Sequence, residues 1–297
     1  MENRPVRVVS FKKFKINSVY KNMSSHQIQR LGIISALQEE QQGLVQAMQG
    51  AATHIHGRRD YTSGTLFGIE AVCVLSRIGK VAAAMTATLL VEKFGVTHIV
   101  FTGVAGSGGN GVNVGDIVVA DCLVQHDMDA SPLFPPGEVP LTGISHFAAD
   151  RALTLQLAQA SAAFIDRDLR AAIGEQDIAL FGLADVHCHR GLADVHCHRG
   201  LVASGDQFIH SAQRIHRLAI EHPGLLAVEM EGAAVAQVCF ELNVPFALMR
   251  TISDNANEKA ATDFLHFVQS VAAKYAFYVI KRFCELQDQA SKRSAGT

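Results

Sequence analysis

Residues 97–122 read Thr-His-Ile-Val-Phe-Thr-Gly-Val-Ala-Gly-Ser-Gly-Gly-Asn-Gly-Val-Asn-Val-Gly-Asp-Ile-Val-Val-Ala-Asp-Cys. Thr97 to Gly103 is apolar and β-branched and reads as a strand, Gly103 to Gly115 is glycine-rich, and Asp116 to Cys122 reads as a strand again. Gly106, Gly108 and Gly111 have the spacing G-x-G-x-x-G, which taken alone suggests a dinucleotide site. That motif needs a helix directly after the turn, so that N-terminal amides face the pyrophosphate. A strand follows here instead, which leaves a dinucleotide-binding oxidoreductase as a remote alternative. The glycines are expected to let the backbone come close to a sugar or an anion.

Outward from this stretch, strands and helices alternate. Leu31–Ser35 reads as a strand and 37–49 has helical spacing. Two strands are expected to flank a turn at Ser63-Gly64. Val72–Ser76 is another strand, and Gly79-Lys80 opens an Ala-rich helix to Phe94. Downstream, the pattern gives a helix near 148–162, a strand ending at 201–204, a helix at 211–221 and a strand at Leu225–Val228. A helix at Glu231–Leu242, a strand at Pro245–Ile252 and a long amphipathic helix at Asp263–Glu285 complete it. Many strands are apolar throughout, so both faces of the sheet are covered. The fold class is α/β, a three-layer sandwich around a mixed sheet.

The chain has 297 residues, 48% of them hydrophobic, which suffices for one large core. One domain is expected over 30–297, after a basic, loosely ordered extension at 1–29. A net charge of −2 gives no global attraction to nucleic acid or anionic membrane, and neither partner is expected. No run of 18 apolar residues exists, so no transmembrane helix is expected. The basic N-terminus lacks the apolar stretch of a secretory signal. Cysteines at 73, 122, 188, 197, 239 and 284 show no disulfide rhythm and read as reduced thiols of a cytoplasmic protein.

Gly-Leu-Ala-Asp-Val-His-Cys-His-Arg occurs at 182–190 and again at 191–199. A nine-residue unit is too short for a solenoid and reads as a duplication that lengthens a surface loop. His187, Cys188, His189, His196, Cys197 and His198 raise a zinc reading, but the duplication already accounts for their recurrence. The spacing fits no established zinc pattern, and no metal is expected.

Four strand-end segments carry polar residues that a core strand does not need. Ser35-Ala-Leu-Gln-Glu-Glu40 puts Glu39 and Glu40 in a first helical turn, where complementing the helix dipole would also explain them. Thr102-Gly-Val-Ala-Gly is the second. Ser204-Gly-Asp-Gln-Phe-Ile209 offers an aromatic that could stack on a base or simply fill the core. Val228-Glu-Met-Glu-Gly232 and Arg250-Thr-Ile-Ser-Asp254 form the fourth. Arg250 lies in an apolar strand and needs a partner, whereas Asp254 could be a helix cap. Glu40, Glu231 and Asp254 together are the set that acid–base chemistry on a neutral polar ligand would use.

The order and wording of these segments resemble the 5′-methylthioadenosine/S-adenosylhomocysteine nucleosidases of the nucleoside phosphorylase superfamily over roughly residues 30–287. The resemblance rests on Gly-Ile-Ile-Ser-Ala-Leu-Gln-Glu-Glu, Ser-Arg-Ile-Gly-Lys-Val-Ala-Ala-Ala, Thr-Gly-Val-Ala-Gly, Val-Gly-Asp-Ile-Val-Val-Ala-Asp, Ser-Gly-Asp-Gln-Phe-Ile, Val-Glu-Met-Glu-Gly-Ala-Ala and Arg-Thr-Ile-Ser-Asp. It implies a partly barrel-like sheet, a homodimer, no cofactor, and hydrolysis of the N-glycosidic bond of an adenine nucleoside. In that family's pattern Glu40 matches the acid that activates water, and Asp254 the acid that protonates adenine at N7. Arg250 matches the arginine near that water. Met230 and Glu231 match the residues that hold the ribose, Phe208 the aromatic on the purine, and Ile209 the backbone reader of the base edge. Val104 and Ile78 complete the expected substrate-binding set.

Some positions depart from the pattern. Val104 stands where many members have Ser, and Arg77 where Gly is usual. An arginine at the active-site mouth could bind phosphate, so a purine nucleoside phosphorylase is the main alternative. The stretch Asp-Met-Asp-Ala-Ser-Pro-Leu-Phe (127–134) is expected to help form the 5′-substituent pocket, to which the neighbouring subunit also contributes apolar residues.

Overall fold

The computed structural model describes residues 28–109, 111–181, 183 and 195–295. The first elements are β1 (Leu31–Ser35), α1 (Gln38–Ala47), β2 (Gln49–His56), β3 (Arg59–Leu66), β4 (Ile69–Leu75) and α2 (Lys80–Glu92). Next come β5 (His98–Phe101), β6 (Val104–Ser107), β7 (Ile117–Gln125), β8 (His146–Ala148), α3 (Arg151–Arg167), α4 (Leu169–Ile173) and α5 (Glu175–Leu180). The chain continues through β9 (Cys197–Ser204), α6 (Ala212–Glu221), β10 (Leu225–Glu229), α7 (Gly232–Leu242), β11 (Phe246–Asp254) and α8 (Ala260–Phe267). A π-helical turn, Val268–Ala272, then leads into α9 (Ala273–Ala295).

The strands form one mixed sheet in the order β2-β3-β4-β1-β5-β11-β6-β10-β9-β7-β8, and β11 also pairs with β7. That extra pairing closes β11, β6, β10, β9 and β7 into a ring, while β5, β1, β4, β3 and β2 extend as an open arm. The sheet is therefore partly a barrel.

Side chains of the buried strands alternate between two apolar layers, as the pleat dictates. Leu31, Ile33, Ala71, Cys73 and Val100 pack with Leu44, Leu157, Phe164 and Tyr275 of α1, α3 and α9. Their neighbours Ile34, Val72, Val74, Ile99 and Phe101 pack with Ala83, Ala87, Leu90, Val235 and Cys239 of α2 and α7. Helices thus cover both faces, which is why these strands carry no polar face.

Several sequence expectations are corrected. Ser63-Gly64 lies inside β3, and the hairpin turn is at Gly57-Arg58. A Cβ on Gly64 would stand 2.7 Å from the Gln49 carbonyl oxygen, beside a break in the β2–β3 register. The glycine therefore serves close backbone approach at a bulge rather than a turn. The glycine-rich segment contains a strand of its own, β6. The long C-terminal helix begins at Ala260 and is interrupted by the π-helical turn.

The repeat is not wholly a surface loop. Its second copy enters β9, where His196 N donates to Asp116 Oδ1 at 2.7 Å and the His198 ring nitrogen lies 2.9 Å from Asp116 Oδ2. His187, Cys188 and His189 lie outside the described residues, as does nearly all of the 1–29 extension.

Candidate active site

Glu40 sits in the first turn of α1 and is buried. Its Oε2 accepts from the amides of Ala36 (2.9 Å) and Leu37 (3.0 Å), and its Oε1 from Val104 N (3.2 Å). Burial pushes its pKa up, against these amides and the Arg250 charge, which pull it down. The close approach of the chain after β5 to this carboxylate depends on Gly103. A Cβ there would stand 3.1 Å from Arg250 Nη1 and 3.3 Å from Glu40 Oε1.

Arg250 is fully buried in β11 and packs over the Phe101 ring, 4.1 Å from its centroid. Its partner is Glu229, whose Oε2 lies 2.6 Å from Nη2. Glu229 ends β10 and also accepts from Ser204 Oγ, Glu231 N and Gly232 N (2.8 Å). It thereby satisfies the free amides at the N-terminus of α7. Glu231 precedes α7, and its Oε1 accepts from Gly79 N at 2.9 Å, tying the β4–α2 loop to the end of β10. Burial and then the Glu229 charge push the Glu231 pKa up.

Asp254 ends β11, 2% exposed. Its Oδ1 accepts from Ala256 N (2.8 Å) and its Oδ2 from Ser253 Oγ (2.8 Å). The cap-like hydrogen bond holds Ala256 in a left-handed conformation (φ 49°). No helix starts there, since α8 begins at Ala260, so Asp254 is not a helix N-cap. Burial raises its pKa despite both bonds.

These groups face one cavity of about 340 Å³, within the usual range of roughly 300–1,000 Å³ for a small-molecule site. Glu40, Asp254, Arg250, Phe208, Ile209, Met230, Glu231, Val104 and Ile78 all line it, although the sequence scatters them from 40 to 254. Most stand at or just beyond the C-terminal end of a strand, where α/β sheets bind ligands. Phe208 is 42% exposed and meets Phe264 of α8 edge-on at 5.9 Å.

Sequence reasoning missed three participants. Glu229 was half-signalled, because an arginine in an apolar strand needs a partner. Phe264 was hidden in a helix whose π-helical turn leaves no mark on its apolar period. Gln207, beside Phe208, also lines the cavity.

One expectation fails in the geometry. Arg77 does not line this cavity: its Nη2 donates to the Arg58 carbonyl at 2.5 Å and it faces a different one. In the single chain no residue of 127–134 lines this cavity; Asp127 pairs with Lys80 at 2.5 Å and accepts from Asp206 N. The glycines of the G-x-G-x-x-G spacing also have another use. A Cβ on Gly108 would stand 2.7 Å from the backbone of Leu226, so this glycine lets β6 lie against β10.

The phosphorylase superfamily model matches residues 30–285. A 5′-methylthioadenosine/S-adenosylhomocysteine nucleosidase of Anoxybacillus flavithermus is 36% identical over 82% of this chain and 92% of its own. The crystal structure of the nucleosidase of that name from Neisseria meningitidis, in complex with methylthio-immucillin-A, has a TM-score of 0.73 and 30% identity, covering 87% of this chain and all of that one. Futalosine hydrolase of Helicobacter pylori is also similar, with a TM-score of 0.70 and 31% identity over 87% of this chain and 98% of its own. With its carboxylates, its buried arginine and its partly closed sheet, the chain belongs to the phosphorylase superfamily, among the 5′-methylthioadenosine/S-adenosylhomocysteine nucleosidases.

Proposed function

We propose that this chain hydrolyses the N-glycosidic bond of 5′-methylthioadenosine and S-adenosylhomocysteine, releasing adenine and the thio-ribose, with residues 30–297 acting as one nucleosidase domain. The observation that carries this reading is a pair of buried carboxylates, Glu40 and Asp254, lining one small, largely apolar cavity.

The chemistry asks for this pair. Cleavage leaves positive charge on the ribose and negative charge on the departing purine. Asp254, whose pKa burial raises, is the acid placed to give a proton to N7, so that the base leaves neutral. Glu40 accepts a proton from water as the oxygen bonds to C1′ and the C1′–N9 bond breaks. Solvent then returns both acids to their starting states. Phe208 and Phe264 supply a surface for the purine, Ile209 its backbone, and Met230 and Glu231 the ribose contacts. Arg250 positions Glu40 and Glu231 through its charge, and Val104 and Ile78 close the sugar side and the mouth. This chemistry calls on no metal and no organic cofactor.

Hydrolysis is favoured over phosphorolysis by the charge balance. Among the described residues that line the cavity, Arg250 is the only arginine or lysine, and Glu229 already holds it. Incubating the protein with a panel of adenosine, inosine and 5′-thioadenosines, scored for free base, tests the substrate class. Release from 5′-thioadenosines ahead of inosine is expected, and a preference for inosine would remove the adenine assignment.

We also propose a homodimer. Val81 and Met85 lie one turn apart on α2, with Ile78 before them, and all three are exposed apolar side chains. A partner seated on that stripe would lie beside the cavity mouth at Ile78. Sedimentation equilibrium is expected to give a two-chain mass, and a one-chain mass would exclude the dimer.

A further inference from the structure

A second cavity, of about 540 Å³, lies on the far side of Ala36, between α1 and the β2–β3 hairpin. Of the described residues around the nucleoside cavity it shares Ala36 alone. Polar and charged side chains stand around it, among apolar Ala36, Val45 and Leu75. Gln38, Gln42 and Gln46 stand at successive turns of α1, and Arg58, Arg59 and Arg77 lie on the hairpin and at the end of β4, with Asp60 the carboxylate among them.

Three features of these arginines bear on what the cavity can hold. None of them takes part in an ion pair among the described residues. Arg59 is 7% exposed, and its guanidinium is held by the carbonyls of Gly57, Ser76 and Ala82, leaving a buried cation without an anion. Burying an uncompensated charge is costly. Arg58 and Arg77 both have left-handed backbones (φ 59° and 65°), a conformation that favours glycine, and Arg77 Nη2 donates to the Arg58 carbonyl. The φ of Arg58 belongs to the two-residue hairpin turn that it forms with Gly57 (φ 55°), whereas Arg77 is in no hairpin turn, and a non-glycine residue held there is the kind of outlier that a ligand contact offsets. On the opposite wall, Gln41 is also buried, and its Nε2 has no acceptor.

We propose that this cavity is a second ligand site that takes the oxyanion group of a polar small molecule, a phosphate or a carboxylate. Arg58 and Arg77 are its charged contacts, Arg59 supplies positive potential from behind, and the α1 glutamine amides hold the uncharged remainder. Planar guanidinium forks suit both oxyanions. The cavity exceeds the size of a bare phosphate, so the anion is one end of a larger molecule. The site is independent of the nucleosidase reading, since Arg58 and Arg77 line no part of the nucleoside cavity.

The test is isothermal titration of the full-length protein with potassium phosphate and, separately, sodium citrate, against sodium chloride at matched ionic strength. Saturable binding of phosphate or citrate, with none of chloride, is expected, and the stronger of the two identifies the anion. Arg77→Gly is expected to weaken that binding about tenfold or more, the loss of one charge-assisted contact. Glycine suits φ 65°, so this variant should fold at least as well as the parent. Asp60→Asn removes the wall's carboxylate and is expected to tighten binding. If Arg77 were merely structural, Arg77→Gly would alter the melting temperature and leave the titrations unchanged. That result, or an equal and unsaturated response to all three salts, would overturn the proposal.

Discussion

Arg250 Nη2 lies 2.6 Å from Glu229 Oε2, with both side chains almost wholly removed from solvent. The pair joins β11 to β10. Glu229 also holds Ser204 and two amides at the start of α7, and Arg250 stands 4.0 Å from Glu231.

Glu229→Gln removes the charge nearest a buried guanidinium and leaves it only the longer contact to Glu231 at 4.0 Å. Breaking such a pair typically costs about 3–5 kcal/mol. A loss of that size is expected in urea denaturation of the variant, together with loss of activity. A loss under about 1 kcal/mol would show that Arg250 finds another partner.

Glu40→Gln should act on the chemical step. Water needs a base only as the bond breaks, so single-turnover rates are expected to fall ~100- to 10,000-fold with little change in substrate affinity. Since burial raises the Glu40 pKa, wild-type activity should begin to fall on acidification above the ordinary glutamate range. Weakened binding with an unchanged single-turnover rate would make Glu40 a binding residue only.

Asp254→Asn carries a stability signature as well as loss of turnover. The folded protein holds the Asp254 proton to higher pH than the unfolded chain does. The native state therefore binds more protons between the two pKa values, and wild-type stability from this group falls as pH rises through the folded value. Asparagine does not titrate. The melting temperature of the variant relative to wild type should thus rise as pH climbs from the ordinary aspartate range through the raised folded value. A difference that shrinks over that interval would mean that the carboxylate is stabilised as an anion.

The layered fold was legible in the sequence because apolar strands covered on both faces have no polar alternation to mislead. Turns and interruptions were less so. Gly64 looked like a turn but serves a bulge, while the true turn, Gly57-Arg58, holds an arginine at one of its two positive φ positions and so gives a weaker signal than two turn-forming residues would. β6 was lost among glycines needed for close strand packing. In the site, the resemblance gathered residues that no local pattern connects, and the structure puts all nine on one cavity. Arg77 was misplaced because a sequence gives the position of a guanidinium and not its direction.

The duplicated segment gives a further test. Its second copy sets Asp116 through His196 and His198 and leads into β9. Residues 182–190 have the same sequence, so deleting 191–199 brings an identical His-Cys-His-Arg to the same junction with Gly200. Loop length itself matters little, about 0.6 kcal/mol per doubling. Near wild-type activity and melting temperature are expected. A large fall in melting temperature, with stoichiometric zinc in the parent protein, would show that both copies are needed as ligands.

The most direct measurement follows adenine release from 5′-methylthioadenosine by the purified protein, with and without phosphate, and identifies the sugar product. The expected result is the same rate in both, with free methylthioribose as the product. Release that requires phosphate and yields a sugar 1-phosphate would contradict hydrolysis, and no release of adenine would contradict the nucleosidase assignment itself.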